Sequence, residues 1–155
     1  MRMSDVYVGL LERVHQEFDA AHDALVYVEQ NWYRKNVFLD IPGSSLPDMG
    51  RAAKHQEAVY FIQLFSTFEA ILKEHLAQHH PQITVPEEAR AVWLIDRVAQ
   101  RQTPPITAAL RSRVHDVRRY RNYLTHLNDR PPSPIPFTTA LARLNKFVDH
   151  LPEPR

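Results

Sequence analysis

The feature that most constrains the fold is a run of apolar residues near the start of the chain, spaced alternately by four and three positions. The run comprises Tyr7, Leu11, Val14, Phe18, Ala21, Leu25, Val28 and Trp32. This spacing places every member on one face of an α-helix that packs along another helix. A helix from Ser4 to Asn36 would be about 50 Å long, whereas a globule of this size has a radius of gyration of about 15 Å. We therefore expect the helix either to bend or to protrude and pack on a second chain.

Further helices are predicted from apolar periodicity and from the prolines between them. Their expected ranges are Asp48 or Met49 to His79, Pro86 to Arg101, Ile106 to Asn128, and Thr138 to His150. The stretch VFLDIPGSSLPDMG is predicted to be a loop, and PPSPIP an extended connector. The chain has 155 residues, which suits one domain. The sequence therefore predicts an all-α, up-and-down bundle of four to five helices with a long N-terminal helix, in a single domain over residues 1–155.

Several classes of protein are excluded or disfavoured by composition and motifs. Cysteine is absent, which excludes disulfides, thiolate metal sites and a cysteine nucleophile. No Gly-rich phosphate loop and no G-x-S-x-G motif is present, so nothing supports a nucleotide-hydrolysing enzyme or a serine hydrolase. Glu12 and Glu17 interrupt the first apolar run, so it is neither a signal peptide nor a membrane span. We expect a cytoplasmic protein that does not bind membranes.

A histidine group at the end of the second predicted helix raises the question of a metal. His75 and His79 are four residues apart, with His80 beside them, and this spacing could hold zinc. However, histidines in the last turn of a helix suit its negative end, and no further ligand at a set spacing accompanies them. We therefore predict no metal site and no cofactor.

The charges are divided unevenly along a chain whose net charge is +1. Residues 1–100 hold 9 Lys/Arg and 14 Asp/Glu, whereas residues 101–155 hold 10 and 4. Between Arg111 and Arg130 there are six arginines, no lysine and two acids. Arginine matches the geometry of phosphate and carboxylate groups, whereas lysine would serve equally well for solubility. The basic segment therefore favours an anionic partner.

The fourth predicted helix separates an apolar face from a polar stripe. The apolar arc comprises Leu110, Val114, Val117, Tyr120, Leu124 and Leu127. The polar stripe, on the opposite side, comprises His115, Arg119, Asn122 and His126. Arg121 lies at the border of the apolar arc, about 140° from His126 on an ideal helix. A joint site would require a loosened helix, a long reach by Arg121, or a second copy of the helix, and the last of these predicts a homodimer.

Within this helix, RNYLTH resembles the R-N-x-x-x-H form of the Arg-x(4 to 6)-His signature of the HEPN superfamily. Members are small α-helical bundles, commonly dimeric, and many are metal-independent endoribonucleases in toxin–antitoxin, antiviral and RNA-processing systems. The resemblance implies a HEPN-like fold and catalytic roles for Arg121, Asn122 and His126. His126 would act as acid or base, Arg121 would hold the phosphate, and Asn122 would donate to the phosphate or fix the histidine tautomer.

The remaining expectations concern supporting residues and partners. An acid on an earlier helix often supports the family's site, and either Glu69 or Glu74 could serve. The residues expected to contact RNA by phosphate contacts or stacking are His115, Arg118, Arg119, Tyr120 and Tyr123. The expected partners are RNA, a second copy of the chain, and a possible antitoxin or other cognate protein. Two alternatives stay open, namely a non-catalytic HEPN module that binds RNA or protein, and a helical assembly scaffold whose arginines only solubilise it.

Overall fold

The computed structural model describes residues 3–35, 46–86, 90–126 and 131–152, with side chains described over 5–30, 50–86, 90–126 and 131–152. In these ranges all regular structure is helical, which confirms the predicted all-α bundle. The helices are α1 (Met3–Lys35), α2 (Leu46–His79), α3 (Ala91–Arg101), α4 (Ala108–His126) and α5 (Phe137–Val148). The predicted helix ends at Asn36 and Asn128, and most of the first predicted loop, lie outside the described residues.

Helix α2 is the centre of the bundle, because it contacts each of the other four helices. Helix α1 runs antiparallel to it, because Tyr7 near the start of α1 lies close to Glu74 near the end of α2, whereas Glu17 Oε2, further along α1, accepts a hydrogen bond from Gln63 Nε2 at 3.1 Å. The rings of Phe18 and Tyr60 meet edge to face at 5.8 Å. Helix α5 packs on α1, α2 and α4. Helix α4 also packs on α2 and α3, so side chains from α2 and α3 reach both sides of its polar surface.

The core is one cluster to which every helix contributes. Its centre consists of phenylalanines from α2, among them Phe61, Phe65 and Phe68, which are at most 1% exposed. Phe68 meets Phe147 of α5 edge to face at 5.5 Å. Burial of a side chain of this size stabilises a fold by about 1.5–3 kcal/mol. These contacts hold α2 in place as the platform on which α4 lies.

The long apolar run of α1 is only partly covered. Tyr7, Leu11 and Val14 are buried, whereas Leu25 is half-buried and Val28 is 41% exposed. The first buried residue among the described part of α2 is Phe61, so the outer halves of α1 and α2 extend past the core. Two helices alone cannot enclose an apolar face on all sides. The outer part of α1 therefore lies beyond the buried core, its packing on a second chain stays a prediction, and the Trp32 side chain lies outside the described residues.

The observed starts of α2 and α3 differ from the predicted ones, by two residues for α2 and by five for α3. Helix α2 begins at Leu46 and takes in Pro47, which was predicted to lie in the loop. A proline is compatible with the first turn because the N–H that it lacks has no partner there. Helix α3 begins at Ala91 rather than at Pro86, which is not helical. Arg90, directly before Ala91, has extended backbone angles (φ −71°, ψ 147°), so the described helix can begin only after it. Ile83 and Val85, just before Pro86, pack half-buried against the core. Glu87 and Glu88, predicted for the first turn, lie outside the described residues.

Helices α4 and α5 begin within two residues of the predicted positions. Helix α4 begins at Ala108, and the hydroxyl of Thr107 accepts a hydrogen bond from the backbone N–H of Leu110 at 3.3 Å. This contact satisfies one of the free donors of the first turn. Over the described ranges, no helix is both long and apolar enough to cross a membrane.

Candidate functional site at the basic helix α4

Arg121 lies on the side of α4 that faces α2, as its place at the border of the apolar arc predicts. Its Nη2 donates to Glu69 Oε2 at 2.6 Å, and both side chains are 21% exposed. Its Nη1 donates to Asn122 Oδ1 at 3.2 Å, and its guanidinium lies 5.1 Å from the centre of the Phe65 ring. A carboxylate, an amide and an aromatic face therefore hold the guanidinium in one orientation. Each Nη atom keeps a second N–H available, because the group carries more donors than these contacts use.

Of the two acids expected to support Arg121, Glu69 contacts its guanidinium and Glu74 does not. The two are five residues apart on α2 and hence about 140° apart around the helix. Glu74 accepts a hydrogen bond from Gln78 at 3.0 Å on the same helix. Burial, with a smaller contribution from the negative charge of Glu74, raises the pKa of Tyr7 to about 12. Glu74 is therefore close to α1, on another side of α2 from Arg121.

Asn122 and His126 lie one turn apart near the end of α4. Asn122 is half-buried, while His126 is exposed and makes no hydrogen bond or ion pair with any described residue. The Arg121 guanidinium has Glu69 and Asn122 as its described hydrogen-bond partners, and His126 is not among them. The hydroxyl of Thr125 donates to the backbone carbonyl of Arg121 at 2.9 Å. The described helix thus presents Asn122 and His126 outward and Arg121 toward α2.

His115 is held at the other end of the polar stripe by an acid from α3. Its Nε2 donates to Asp96 Oδ1 at 3.1 Å, and the imidazole is 17% exposed. Arg111 Nε lies 3.7 Å from the same oxygen. Sequence reasoning missed both Asp96 and Arg111 as neighbours of His115. No spacing rule connects Asp96 on α3 to a histidine on α4, whereas the four-residue spacing of Arg111 and His115 on one helix could have indicated that they are neighbours. The contact fixes the ring orientation and places a proton on Nε2.

The two arginines expected to contact RNA differ in their surroundings. Arg119 is 55% exposed and forms an ion pair with Asp116 on its own helix. Arg118 is half-buried, and its Nε has no described hydrogen-bond partner. Burial, reinforced by the charges of Arg119 and Arg121, lowers the pKa of Arg118, and Asp96 opposes this effect. Cations are therefore crowded along α4, which favours binding of an anion that relieves their repulsion.

Tyr120 and Tyr123 are only partly available for stacking. The Tyr120 ring packs edge to face on Phe61 at 5.0 Å, and it is half-buried against the core. Burial, followed by the charge of Glu57, raises its pKa. Tyr123 is half-buried, and its ring lies roughly parallel to that of Tyr120 at 6.3 Å. Because the Tyr120 ring takes part in the packing of α4 on α2, the Tyr123 ring is the better candidate for stacking with an RNA base.

The histidine group at the end of α2 belongs to the core. His75 is fully buried, accepts a hydrogen bond from Gln102 Nε2 at 3.2 Å, and stacks on His79 at 4.7 Å between ring centres. Burial, and then the proximity of His79 and His80, lowers the pKa of His75 to about 4. Among the described residues no group of three or more histidine, aspartate or glutamate side chains could hold a metal ion.

No protein-family model, no curated protein and no solved structure matches this chain. The resemblance to the HEPN superfamily therefore depends on the RNYLTH motif and its position at the end of a late helix.

Proposed function

We propose that this chain is a homodimeric, metal-independent endoribonuclease of HEPN type. The observation that carries the proposal is the Arg121 guanidinium, held by Glu69 at 2.6 Å beside Asn122, with His126 exposed one turn further along α4. A half-buried acid that fixes an arginine prepares that arginine for a phosphate without rearrangement during the reaction. We further propose a cytoplasmic toxin or defence effector, whose partners are RNA and a possible cognate antitoxin.

The chemistry needs a proton acceptor, a proton donor and a cation. The ribose 2′-oxygen attacks the adjacent phosphorus, the bond from phosphorus to the 5′-oxygen breaks, and the products are a 2′,3′-cyclic phosphate and a 5′-hydroxyl. One imidazole takes the 2′-hydroxyl proton and another gives a proton to the leaving 5′-oxygen. Histidine suits both roles, because its unperturbed pKa is about 6.5. Arg121 would stabilise the negative charge that develops on the phosphoryl oxygens.

A second copy of the chain would complete this site. One chain presents His126 outward and directs Arg121 toward Glu69, so one helix does not supply two facing imidazoles. A dimer in which the ends of two α4 helices meet would bring two His126 side chains to a common groove, with an Arg121 on each side. Asn122 would then donate to the phosphate or orient the neighbouring imidazole.

The direct test compares cleavage of a structured RNA by the purified wild type, His126→Ala and Arg121→Ala, with EDTA present. Arg113→Ala is the matched control, because Arg113 is an exposed arginine of the same helix outside the motif. We expect cleavage by the wild type and the control, products that end in a 2′,3′-cyclic phosphate, and a loss of roughly 10² to 10⁴ in rate for the two site variants. Equal rates for all four proteins would rule out the assignment.

A non-catalytic HEPN module that binds RNA or a protein is the second candidate. It is favoured by the contacts of Arg121, whose described hydrogen-bond partners are Glu69 and Asn122 and not His126. Under this function the chain would bind RNA in a salt-dependent manner, since phosphate contacts release counterions, and would leave it intact. A helical assembly scaffold is the third, favoured by Tyr27 and Val28, which are 66% and 41% exposed. A chain that self-associates but has no affinity for RNA would favour this scaffold function over the other two.

A further inference from the structure

Two clefts flank Arg119 on the basic face of α4. The first, the α3–α4 cleft, has a volume of about 330 Å³ and is lined by Asp96, Gln100, Ala108, Arg111, Ser112, His115 and Arg119. The second, the connector cleft, has a volume of about 380 Å³ and is lined by Asp116, Arg119, Pro132, Ser133, Pro134, Ile135 and Arg143. Arg119 belongs to both linings, so the clefts are neighbours that share one guanidinium.

Each cleft offers cations and neutral donors suited to a phosphate. The cations are Arg111 and Arg119 in the α3–α4 cleft, with Ser112 beside them, and Arg119 and Arg143 in the connector cleft, with Ser133 beside them. Guanidinium groups bind phosphate oxygens through paired N–H donors. Hydroxyl groups add donors that orient the anion. Each cleft thus contains the groups that one backbone phosphate of a nucleic acid requires.

The acids in the clefts hold the arginines only loosely. Asp116 and Arg119 form an exposed pair on one helix, and such pairs add little net stability. Arg111 Nε lies 3.7 Å from Asp96, beyond good hydrogen-bond distance. Arg143 has no ion pair with any described residue. A phosphate can therefore replace these contacts at small cost.

A purely structural role for the charged groups that line the two clefts explains some of their contacts but not all of them. Asp96 joins α3 to α4 through His115 and Arg111, which stabilises the packing of the two helices. The partner of Arg119 is on its own helix, so that pair joins no helices. Structural pairing therefore accounts for Asp96 and leaves the two arginines of the connector cleft without an ion pair that joins two described helices.

From this we infer that the two clefts, joined at Arg119, form one track that binds phosphates of a single-stranded RNA. This inference rests on the proposed action on RNA, and it adds Arg111, Arg143, Ser112 and Ser133 to the residues that contact the strand. His115 and Arg119 lie on the same stripe of α4 as Asn122 and His126. A strand bound in the clefts would be directed along this stripe toward His126.

Fluorescence anisotropy with a labelled 2′-O-methyl RNA of about 12 nucleotides tests the track. This RNA lacks the attacking hydroxyl, so binding is measured without cleavage. We expect Arg111→Gln and Arg143→Gln each to weaken binding about three- to tenfold at low salt. Each should also reduce the slope of log affinity against log salt by about 0.7 for every phosphate that the variant no longer neutralises. Because Arg119 serves both clefts, Arg119→Gln should weaken binding at least as much as either.

Matched controls remove one positive charge from the same helices outside the clefts. Arg113→Gln on α4 and Lys146→Gln on α5 are exposed and line neither cleft. We expect both controls to bind within about twofold of the wild type, because a side chain outside the clefts neutralises no phosphate of the bound strand and so releases no counterion. Cleft variants that bind no worse than these controls would overturn the track. A mononucleotide that competes as well as the strand would also overturn it, since it would indicate separate small-anion sites.

The outcomes also separate the track from the proposed function. If His126→Ala abolishes cleavage while the three cleft variants bind and cleave as the controls do, the nuclease stands and the track is wrong. If the wild type cleaves no RNA, yet the cleft variants lose affinity for the 2′-O-methyl strand, the track stands and catalysis fails. A wild type that neither binds nor cleaves RNA would refute both.

Discussion

The buried His75 should make the protein lose stability as the pH falls below neutrality. The ring is fully buried, and Nε2 accepts a hydrogen bond from Gln102, which only an unprotonated nitrogen can do. Burial and the nearby His79 and His80 lower the pKa of His75 from 6.5 to about 4. Above pH 6.5 His75 is neutral in both the folded and the unfolded chain, so its contribution to the free energy of unfolding does not change with pH.

The magnitude follows from the two pKa values. Between pH 6.5 and about 4 the unfolded chain binds a proton at His75 that the folded chain excludes, so the free energy of unfolding falls with falling pH. Each pKa unit corresponds to about 1.4 kcal/mol. The full loss is therefore about 3 kcal/mol, of which about 2 kcal/mol should be reached near pH 5. This is a large fraction of the stability of a typical domain, which is about 5–15 kcal/mol.

Urea unfolding at a fixed protein concentration, measured at several pH values between about 7.5 and 5, gives the required free energies. His75→Gln should show a smaller loss over this range than the wild type, by about 2 kcal/mol. His55→Gln is the matched control, because His55 is an exposed histidine of the same helix, and it should retain the wild-type slope. The comparison uses slopes, so a lower stability of His75→Gln at neutral pH does not affect it. Equal slopes for His75→Gln and the wild type would refute the argument.

Three other outcomes are expected. A double-mutant cycle of Glu69→Gln and Arg121→Gln should give a coupling free energy of about 1–3 kcal/mol in urea unfolding, because the pair is half-buried; additive effects would contradict the pairing. If two His126 side chains share one groove, equal amounts of wild type and His126→Ala, mixed to allow subunit exchange, should cleave at about a quarter of the rate of the same total amount of wild type, because only the wild-type homodimer carries both imidazoles; about half of that rate would place each site in one chain. Phe68→Ala should cost about 3–5 kcal/mol in urea unfolding, because Phe68 is fully buried; a cost below about 1 kcal/mol would contradict that burial.

Much of the fold was predictable because it depends on local spacing. Apolar periodicity and prolines predicted each helix in the described ranges, and Arg121 was placed at the border of the apolar arc where it is half-buried. The observed starts of α2 and α3 differ from the predicted ones by two and five residues. Pro47 is compatible with either a loop or a first turn, and Pro86 is compatible with a helix start in the same way but is not helical here.

The candidate site was predictable only as a set of residue types on α4. The RNYLTH motif and the angular positions of residues around α4 identified Arg121, Asn122 and His126, and left Glu69 and Glu74 as equal alternatives. Glu69 is the acid that contacts Arg121 because of how α2 is rotated against α4, and the two residues are 52 positions apart in the sequence. Asp96 as the partner of His115 depends in the same way on the packing of α3.

The sequence by itself determined that this chain is a bundle of amphipathic helices with a basic late helix, because periodicity and charge are properties of neighbouring residues. Tertiary structure decided the rest. It left Val28 exposed, because the outer halves of α1 and α2 extend past the core, and it buried His75 against Gln102, 27 residues away. Such contacts depend on the rotation and register of packed helices, which are set by the shape of the whole core and not by any local pattern.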